Sequence, residues 1–320
     1  MKRMILMIAL LCILLLVVVF ALGPKTSIEL DIKEINLPED LESYLDESES
    51  QFSDIIPETE KTIIWADTSR KEKTALSIVY FHGFSATRQE VSPLCDNLAD
   101  SLGANLYYTR LTGHGRGEHA MGEMSVNDWA NDAVEALEIG RRIGERVIII
   151  GTSTGGTLAA WLATQYHDDD IAAFVLISPN FGPKDGSSEA LNWPWAYIYT
   201  PVVLGETYTW EPLNEQQEKF WNTRYPSSAL LPMMGLVRLA RESDLESIRQ
   251  PMLFLFSMED QVVEAEKTKA IFPRIGSVRK EIAHFSGSDD GKDHVIAGDI
   301  VSPGTTEVVG DMILKFLNNL

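Results

Sequence analysis

The stretch Val147-Ile148-Ile149-Ile150-Gly151-Thr152-Ser153-Thr154-Gly155-Gly156 decides the fold. A β-branched run of this kind fills a buried strand. Gly-x-Ser-x-Gly follows it, and Thr157 to Tyr166 then reads as helix. Strand, sharp turn and helix with a serine at the apex predict a cramped backbone at Ser153 that lifts its Oγ clear of the sheet. Gly151 and Gly155 remove the side chains that would collide where strand and helix pass close together. A solvated serine in a glycine-rich turn would carry the same five residues, so the flanking strand and helix carry the assignment.

Outward from this turn, strands and helices alternate. Strand-like runs fall at 62–65, 76–81, 105–108, 146–150, 173–177, 252–256 and 278–282, and helical patterns at 88–102, 126–143, 154–166, 262–272 and 305–317. Such alternation predicts an α/β fold, a mostly parallel central sheet with helices on both faces. Sites in such sheets form at the carboxyl ends of strands. Ser125 and Asp128 fit the start of the second helix. Cys95, in register with Val91, Leu94, Leu98 and Leu102, reads as a small buried hydrophobe.

One stretch breaks the rhythm. Between Ser178-Pro179 and Gln250-Pro251 about 70 residues show no clear strand, yet they hold four of the seven tryptophans. An aromatic-rich insertion over a strand end, at about 180–249, predicts a cap that walls an apolar pocket. Some of these rings must simply fasten the cap to the core, and the sequence does not sort one kind from the other.

The 320 residues carry a formal net charge of −20, which repels phosphate backbones and excludes nucleic acid as a partner. Residues 1–23 hold Lys2 and Arg3 followed by 19 uncharged apolar residues, Met4 to Leu22. As a helix the run reaches about 28 Å, close to the hydrocarbon thickness of a bilayer and longer than the apolar core of most signal peptides. It predicts a membrane anchor, with Val19 and Ala21 leaving cleavage as a signal segment open. The leading basic residues place the N-terminus in the cytoplasm and the rest of the chain across the membrane, in the periplasm if the cell is Gram-negative. Residues 24–61 form an acidic spacer, in which Pro24 to Glu60 carry twelve Asp and Glu against Lys25 and Lys33. A short helix is expected in it after Pro38-Glu39-Asp40, packing through Leu41, Tyr44 and Leu45. Residues 62–320 make the α/β domain.

A serine hydroxyl needs a base to accept its proton and a carboxylate to orient that base. Of the six histidines, His294 lies in the polar loop Ser288–His294 between the last strand and the last helix, where its imidazole can reach Ser153. His284, at the end of the last strand, is the second choice. Asp260, just after the strand that follows the insertion, is the expected acid, with Glu259 and Asp293 as alternatives. The order Ser153, Asp260, His294 is that of a nucleophile, acid and base on parallel strand ends. The tetrahedral intermediate needs two N–H donors: Thr154, next to the nucleophile, and Phe84, in the loop His82-Gly83-Phe84-Ser85.

Together, His82-Gly83-Phe84, Gly113-His114-Gly115, Gly151-Thr152-Ser153-Thr154-Gly155, Asp260-Gln261-Val262-Val263 and His294 resemble the α/β-hydrolase superfamily. The chain is most similar there to the bacterial carboxylesterase and monoacylglycerol lipase group, which shares its pattern with serine aminopeptidase-like hydrolases. The resemblance spans about residues 62–320 and is densest from Phe81 to Trp129. It implies an α/β-hydrolase fold and an ester substrate with an apolar acyl group. It also implies the same roles for Ser153, Asp260, His294, Phe84 and Thr154. With no H-E-x-x-H, no C-x-x-C and no phosphate-binding glycine loop, no metal or cofactor is expected. Amide hydrolysis or acyl transfer on the same fold is the alternative chemistry, and a non-catalytic binding protein the alternative class.

Overall fold

The computed structural model describes residues 2–320. A long helix, α1 (Lys2–Ala21), precedes α2 (Leu41–Ser50). The α/β region then runs β1 (Thr62–Ile64), β2 (Thr74–Phe81), α3 (Leu94–Leu102), β3 (Asn105–Tyr108), α4 (Val126–Ile143), β4 (Gly144–Thr152), α5 (Thr154–Gln165) and β5 (Ile171–Ile177). The insertion holds α6 (Ala196–Leu204), β6 (Thr207–Thr209), α7 (Glu215–Phe220), β7 (Arg224–Pro226) and α8 (Leu230–Glu242). Last come β8 (Met252–Ser257), α9 (Ala265–Ile271), β9 (Lys280–Phe285) and α10 (Thr306–Leu317).

The main sheet has seven strands in the order β1-β3-β2-β4-β5-β8-β9. All neighbours are parallel except β1, which runs antiparallel to β3. This is the mostly parallel sheet that the alternation predicts, in the α/β-hydrolase arrangement that the resemblance implies. β4 lies in the middle, its last residues paired with the ends of β2 (Phe81 to Gly151) and β5 (Ile177 to Thr152). Its Val147–Ile150 run is buried because both faces are covered. One face packs on Trp129, Leu137, Leu158 and Trp161 of α4 and α5, and the other on Leu94, Leu98, Val309 and Ile313 of α3 and α10. Cys95 lies fully buried in the second core.

Local chemistry sets the element ends. Ser125 and Asp128 form a reciprocal capping box at the head of α4, Asp128 N–H donating to Ser125 Oγ and Ser125 N–H to Asp128 Oδ2. The helix expected from Arg88 begins only at Leu94, because Pro93 supplies no N–H and restrains Ser92 before it. The helix expected from Val262 begins at Ala265, since the backbone of Val262 and Glu264 pairs instead with Lys184 and Gly182. The last strand runs Lys280–Phe285 rather than 278–282, in register with β8 from Met252 to Ser257. The insertion does contain strands: β6 and β7 pair antiparallel, but at three residues each they are too short to show a period.

The acidic segment lies along the domain. Asp31 N–H donates to Asn127 Oδ1 at 2.7 Å and Lys33 N–H to Asn131 Oδ1 at 2.9 Å, both on α4. Arg238 of α8 donates to the Thr26 carbonyl at 2.6 Å. Asp40 caps α2, whose Leu41 and Leu45 enter the core. At its far end Glu49 takes a bidentate pair of bonds from buried Arg110, both at 2.8 Å. An 18-residue window of helix α1 has a mean hydropathy of 3.4, and the helix has no buried residue. It is long and apolar enough to cross a membrane.

Candidate active site

The turn after β4 is strained where the sequence predicts it. Ser153 sits at φ 53° and ψ −116°, a region that side chains rarely adopt. The surroundings over-determine it: Ser153 N–H donates to the Ile177 carbonyl on β5 at 2.9 Å, and Asn180 N–H donates to the Ser153 carbonyl at 3.0 Å. The two glycines are obligatory for packing. A Cβ on Gly155 would come within 2.1 Å of the Phe81 carbonyl oxygen, and one on Gly151 within 2.4 Å of the Gly155 carbonyl oxygen. Ser153 is thus held at the sheet's carboxyl edge, bordering a cavity.

Asp260 and His294 are brought together. His294 Nδ1 lies 2.7 Å from Asp260 Oδ2, while Asp260 Oδ1 accepts the N–H groups of Val262 at 2.7 Å and Val263 at 2.8 Å. The carboxylate is fully buried and every bond it accepts supports its charge. Burial pushes the His294 pKa down, but the Asp260 charge and hydrogen bond, with Asp290 and Glu90 beyond, outweigh it and hold the pKa above the ordinary 6.5. His294 lines the cavity that Ser153 borders. The alternatives lie elsewhere. His284 is exposed on β9 against the Phe256 ring, Glu259 is exposed, and Asp293 accepts from Ser288 Oγ at 3.0 Å.

The loop that carries His294 explains its own composition. Asp290 Oδ2 accepts the N–H groups of His294 at 3.1 Å and Val295 at 2.9 Å, and Asp290 N–H donates to Ser302 Oγ at 3.2 Å. Asp293 turns left-handed at φ 51° just before the histidine, a conformation Asp tolerates better than most residues. Asp290 is a positioning residue that the sequence pattern did not single out. Its only sequence signal is an Asp-rich turn, which is common in loops.

Phe84 and Thr154 both border the cavity, Thr154 at the head of α5, where first-turn amides have no intrahelical acceptor. His82 braces the Phe84 loop from behind. Its Nδ1 lies 3.0 Å from the Gly83 carbonyl and its Nε2 accepts the Leu111 N–H at 3.0 Å. Burial, then the neighbouring His114, pushes the His82 pKa far down, and burial takes His114 to about 4. Both rings are neutral braces.

A second missed residue is Glu90. Its buried carboxyl group accepts from Tyr80 Oη at 2.7 Å and from the Gly83 N–H, and it borders the cavity beside Ser153. Burial raises its pKa to about 7, against the lowering effect of the Tyr80 and Gly83 bonds and of His294. The proton is therefore held more tightly in the folded chain than in the unfolded one, and stability falls as pH rises from about 4.5 through 7. Glu90→Gln keeps an acceptor for Tyr80 and Gly83 and removes the charge. It is expected to stabilise the fold by about 3 kcal/mol at pH 8 and by less than about 1 kcal/mol at pH 5, read from urea unfolding at the two pH values.

The cavity measures about 600 Å³. Its floor is the strand ends and its walls come from the insertion, where Tyr199, Tyr208, Trp210, Trp221 and Tyr225 face it and Trp193, Trp195 and Tyr197 do not. Phe84 fastens floor to wall by edge-on contact with Tyr225 at 5.3 Å.

The profile of the serine aminopeptidase, S33, family matches residues 72–289. The thermostable monoacylglycerol lipase of Bacillus sp. (strain H-257) is 26% identical over 217 residues, 68% of this chain and 83% of that one. Among solved structures, one from work on LipS and LipT, two metagenome-derived lipolytic enzymes, superposes with a TM-score of 0.68 at 21% identity, covering 83% of this chain and all of the other. The monoacylglycerol lipase of Paleococcus ferrophilus gives 0.59 at 17% identity, covering 81% and 99%. The family profile spans more than half of the residues and takes in the strand–serine–helix turn, so the chain belongs to the serine aminopeptidase S33 family of α/β-hydrolases.

Proposed function

We propose that the protein is a serine hydrolase that cleaves carboxylic esters with an apolar acyl group, of the monoacylglycerol type. The observation that carries this reading is a histidine, His294, bonded to buried Asp260 and lining the same aromatic-walled cavity as the strained Ser153. In this mechanism Ser153 Oγ attacks the ester carbonyl while His294 Nε2 takes its proton. Asp260 holds Nδ1 and stabilises the imidazolium. The N–H groups of Phe84 and Thr154 receive the oxyanion, each worth about 3 kcal/mol to the transition state. His294 then protonates the departing alcohol, and water, activated by the same ring, releases the acid. A cavity of about 600 Å³ is within the range that encloses a medium-length acyl ester.

The same reading makes residues 1–23 an uncleaved membrane anchor, with residues 24–61 leading to a hydrolase domain at 62–320 that works outside the cytoplasm. Its support is the length and hydropathy of α1 and the basic residues before it.

The test is a panel of p-nitrophenyl esters and monoacylglycerols of rising chain length, each with a matched amide, run beside labelling by a fluorophosphonate. Hydrolysis is expected to rise from acetate to a medium chain and to leave the amides nearly untouched, with the label on Ser153. Faster cleavage of the amides would replace the ester reading with a peptidase or amidase one. Absence of labelling and turnover would leave a binding protein.

A further inference from the structure

We propose that the cap helix α6 and the end of α1 form one bilayer-docking face, so that the cavity opens against the surface of the membrane that α1 spans and takes its ester from there. The inference rests on the anchor and ester readings above.

The first observation is the surface of α6. Ala196-Tyr197-Ile198-Tyr199-Thr200-Pro201-Val202-Val203-Leu204 carries no charge. Its inner side meets the cavity through Tyr199 and Thr200. Its outer side is open, with Val202 80% and Val203 73% exposed and Tyr197, Ile198 and the preceding Trp193 at least half exposed. Contiguous apolar surface of this kind marks an interaction site rather than ordinary scatter. The patch runs into the cavity itself, since Val203, Leu204 and Leu213 are exposed and also line it.

The second observation is covalent connectivity, which names the occupant. Helix α1 ends at Ala21. Trp195, directly before α6, donates from Nε1 to the Val19 carbonyl in the last turn of α1 at 3.1 Å, and from its backbone N–H to the Pro24 carbonyl at 2.8 Å. Gly23 lies so close under the Trp195 ring that a Cβ there would come within 2.0 Å of Nε1. Beyond Pro24 the chain is tied down through Thr26, Asp31 and Lys33. No slack separates the anchor from the cap. If the last turn of α1 lies at headgroup depth, the start of α6 lies there too. Trp193, Trp195 and Tyr197 are the residue types that favour that depth.

Charge decides between lipid surfaces. Helix α6 has no Lys or Arg, the joint at Gly23-Pro24 adds only Lys25, and the chain carries a net charge of −20, so the contact is apolar rather than driven by anionic headgroups. The surface that fits is zwitterionic or neutral. An ester whose acyl chain already lies in that leaflet reaches Ser153 by moving along Val203 and Leu204, without passing through water.

The experiment uses the full chain reconstituted in phosphatidylcholine vesicles. Cys12 is replaced by Ser, Cys95 is buried, and a Val202→Cys variant carries an environment-sensitive nitrobenzoxadiazole label. Emission is expected to shift to the blue and to be quenched by doxyl-labelled phosphatidylcholine. A second variant, Ile198→Glu with Val202→Glu, changes two exposed residues that do not line the cavity. It is expected to keep its activity on soluble p-nitrophenyl butyrate and to lose about tenfold on monoacylglycerol held in the vesicles. Water-like emission from vesicle-bound protein overturns the proposal, as does equal loss on both substrates. A blue shift that lipid does not quench, and that grows with protein density, overturns it in favour of a second copy covering α6. A chain that fails to sediment with the vesicles overturns the anchor and the docking together, while its activity on p-nitrophenyl butyrate reports separately on the ester reading.

Discussion

Ser153→Ala is expected to lower kcat on a p-nitrophenyl ester by about 10⁶-fold, with the circular dichroism spectrum unchanged. The size follows from the proposed mechanism, in which no acyl-enzyme forms without Oγ and what remains is polarisation of the carbonyl by the Phe84 and Thr154 N–H groups. Alanine keeps the Cβ, so it inherits the same backbone strain at φ 53°. Glycine does not. Ser153→Gly is expected to be equally inactive but more stable than Ser153→Ala by about 1 kcal/mol, because glycine enters this region freely. Urea unfolding of the two variants measures the strain that the turn holds. Full activity in Ser153→Ala would remove the serine from the mechanism.

Asp260→Asn is expected to cost about 10⁴-fold in kcat/KM, for a different reason. The carboxylate accepts from His294 Nδ1 and so leaves Nε2 free to take the serine proton, whereas a carboxamide that donates to Nδ1 selects the wrong tautomer. The pH dependence separates the two effects. His294 must be neutral to act as a base, so kcat/KM falls as pH drops through its pKa, which Asp260 helps to hold above the ordinary imidazole value against burial. With Asp260 neutral, burial is less opposed, and the ascending limb of the residual activity moves to lower pH. An ascending limb that stays where it was would show that the carboxylate does not set the histidine's charge.

Much of this was legible in the chain because it is local. The turn at Ser153 is spelled out by its own neighbours, with β-branched residues before it and two glycines that nothing larger could replace. Asp260 and His294 are distant in sequence, but a parallel sheet brings every strand end to one edge, so strand order alone pointed to their meeting. What stayed hidden depends on burial. Glu90 reads as one more surface carboxylate until Tyr80 and Gly83 are seen to close over it. Asp290 reads as a loop residue until its bonds to the His294 and Val295 amides are visible. The acidic segment reads as a solvated spacer because its charges dominate its composition. Its attachment is made instead by backbone groups meeting Asn127 and Asn131, which leave no pattern in the segment's own sequence. The insertion aromatics divided only once the cavity separated Tyr199 and Trp210 from Trp193 and Tyr197.

The bonds that hold the serine turn have a further consequence. Strand β5 grips it through the Ile177 carbonyl, β2 is pressed against Gly155 at Phe81, and β4 delivers it. Disarming the serine by loosening its backbone therefore means parting three adjoining central strands, the most cooperative unit of such a domain. Thermal inactivation and melting of the sheet should then be one event, with no folded but idle form between them. The outer part of the cap, from α6 to β7, is joined to a loop beyond that sheet, by Phe84 on Tyr225 and by the Asn222 N–H on the Ser85 carbonyl, and it can be redesigned while the serine turn keeps its own bonds. Evolution of new substrates on this scaffold has a fixed engine and a replaceable intake.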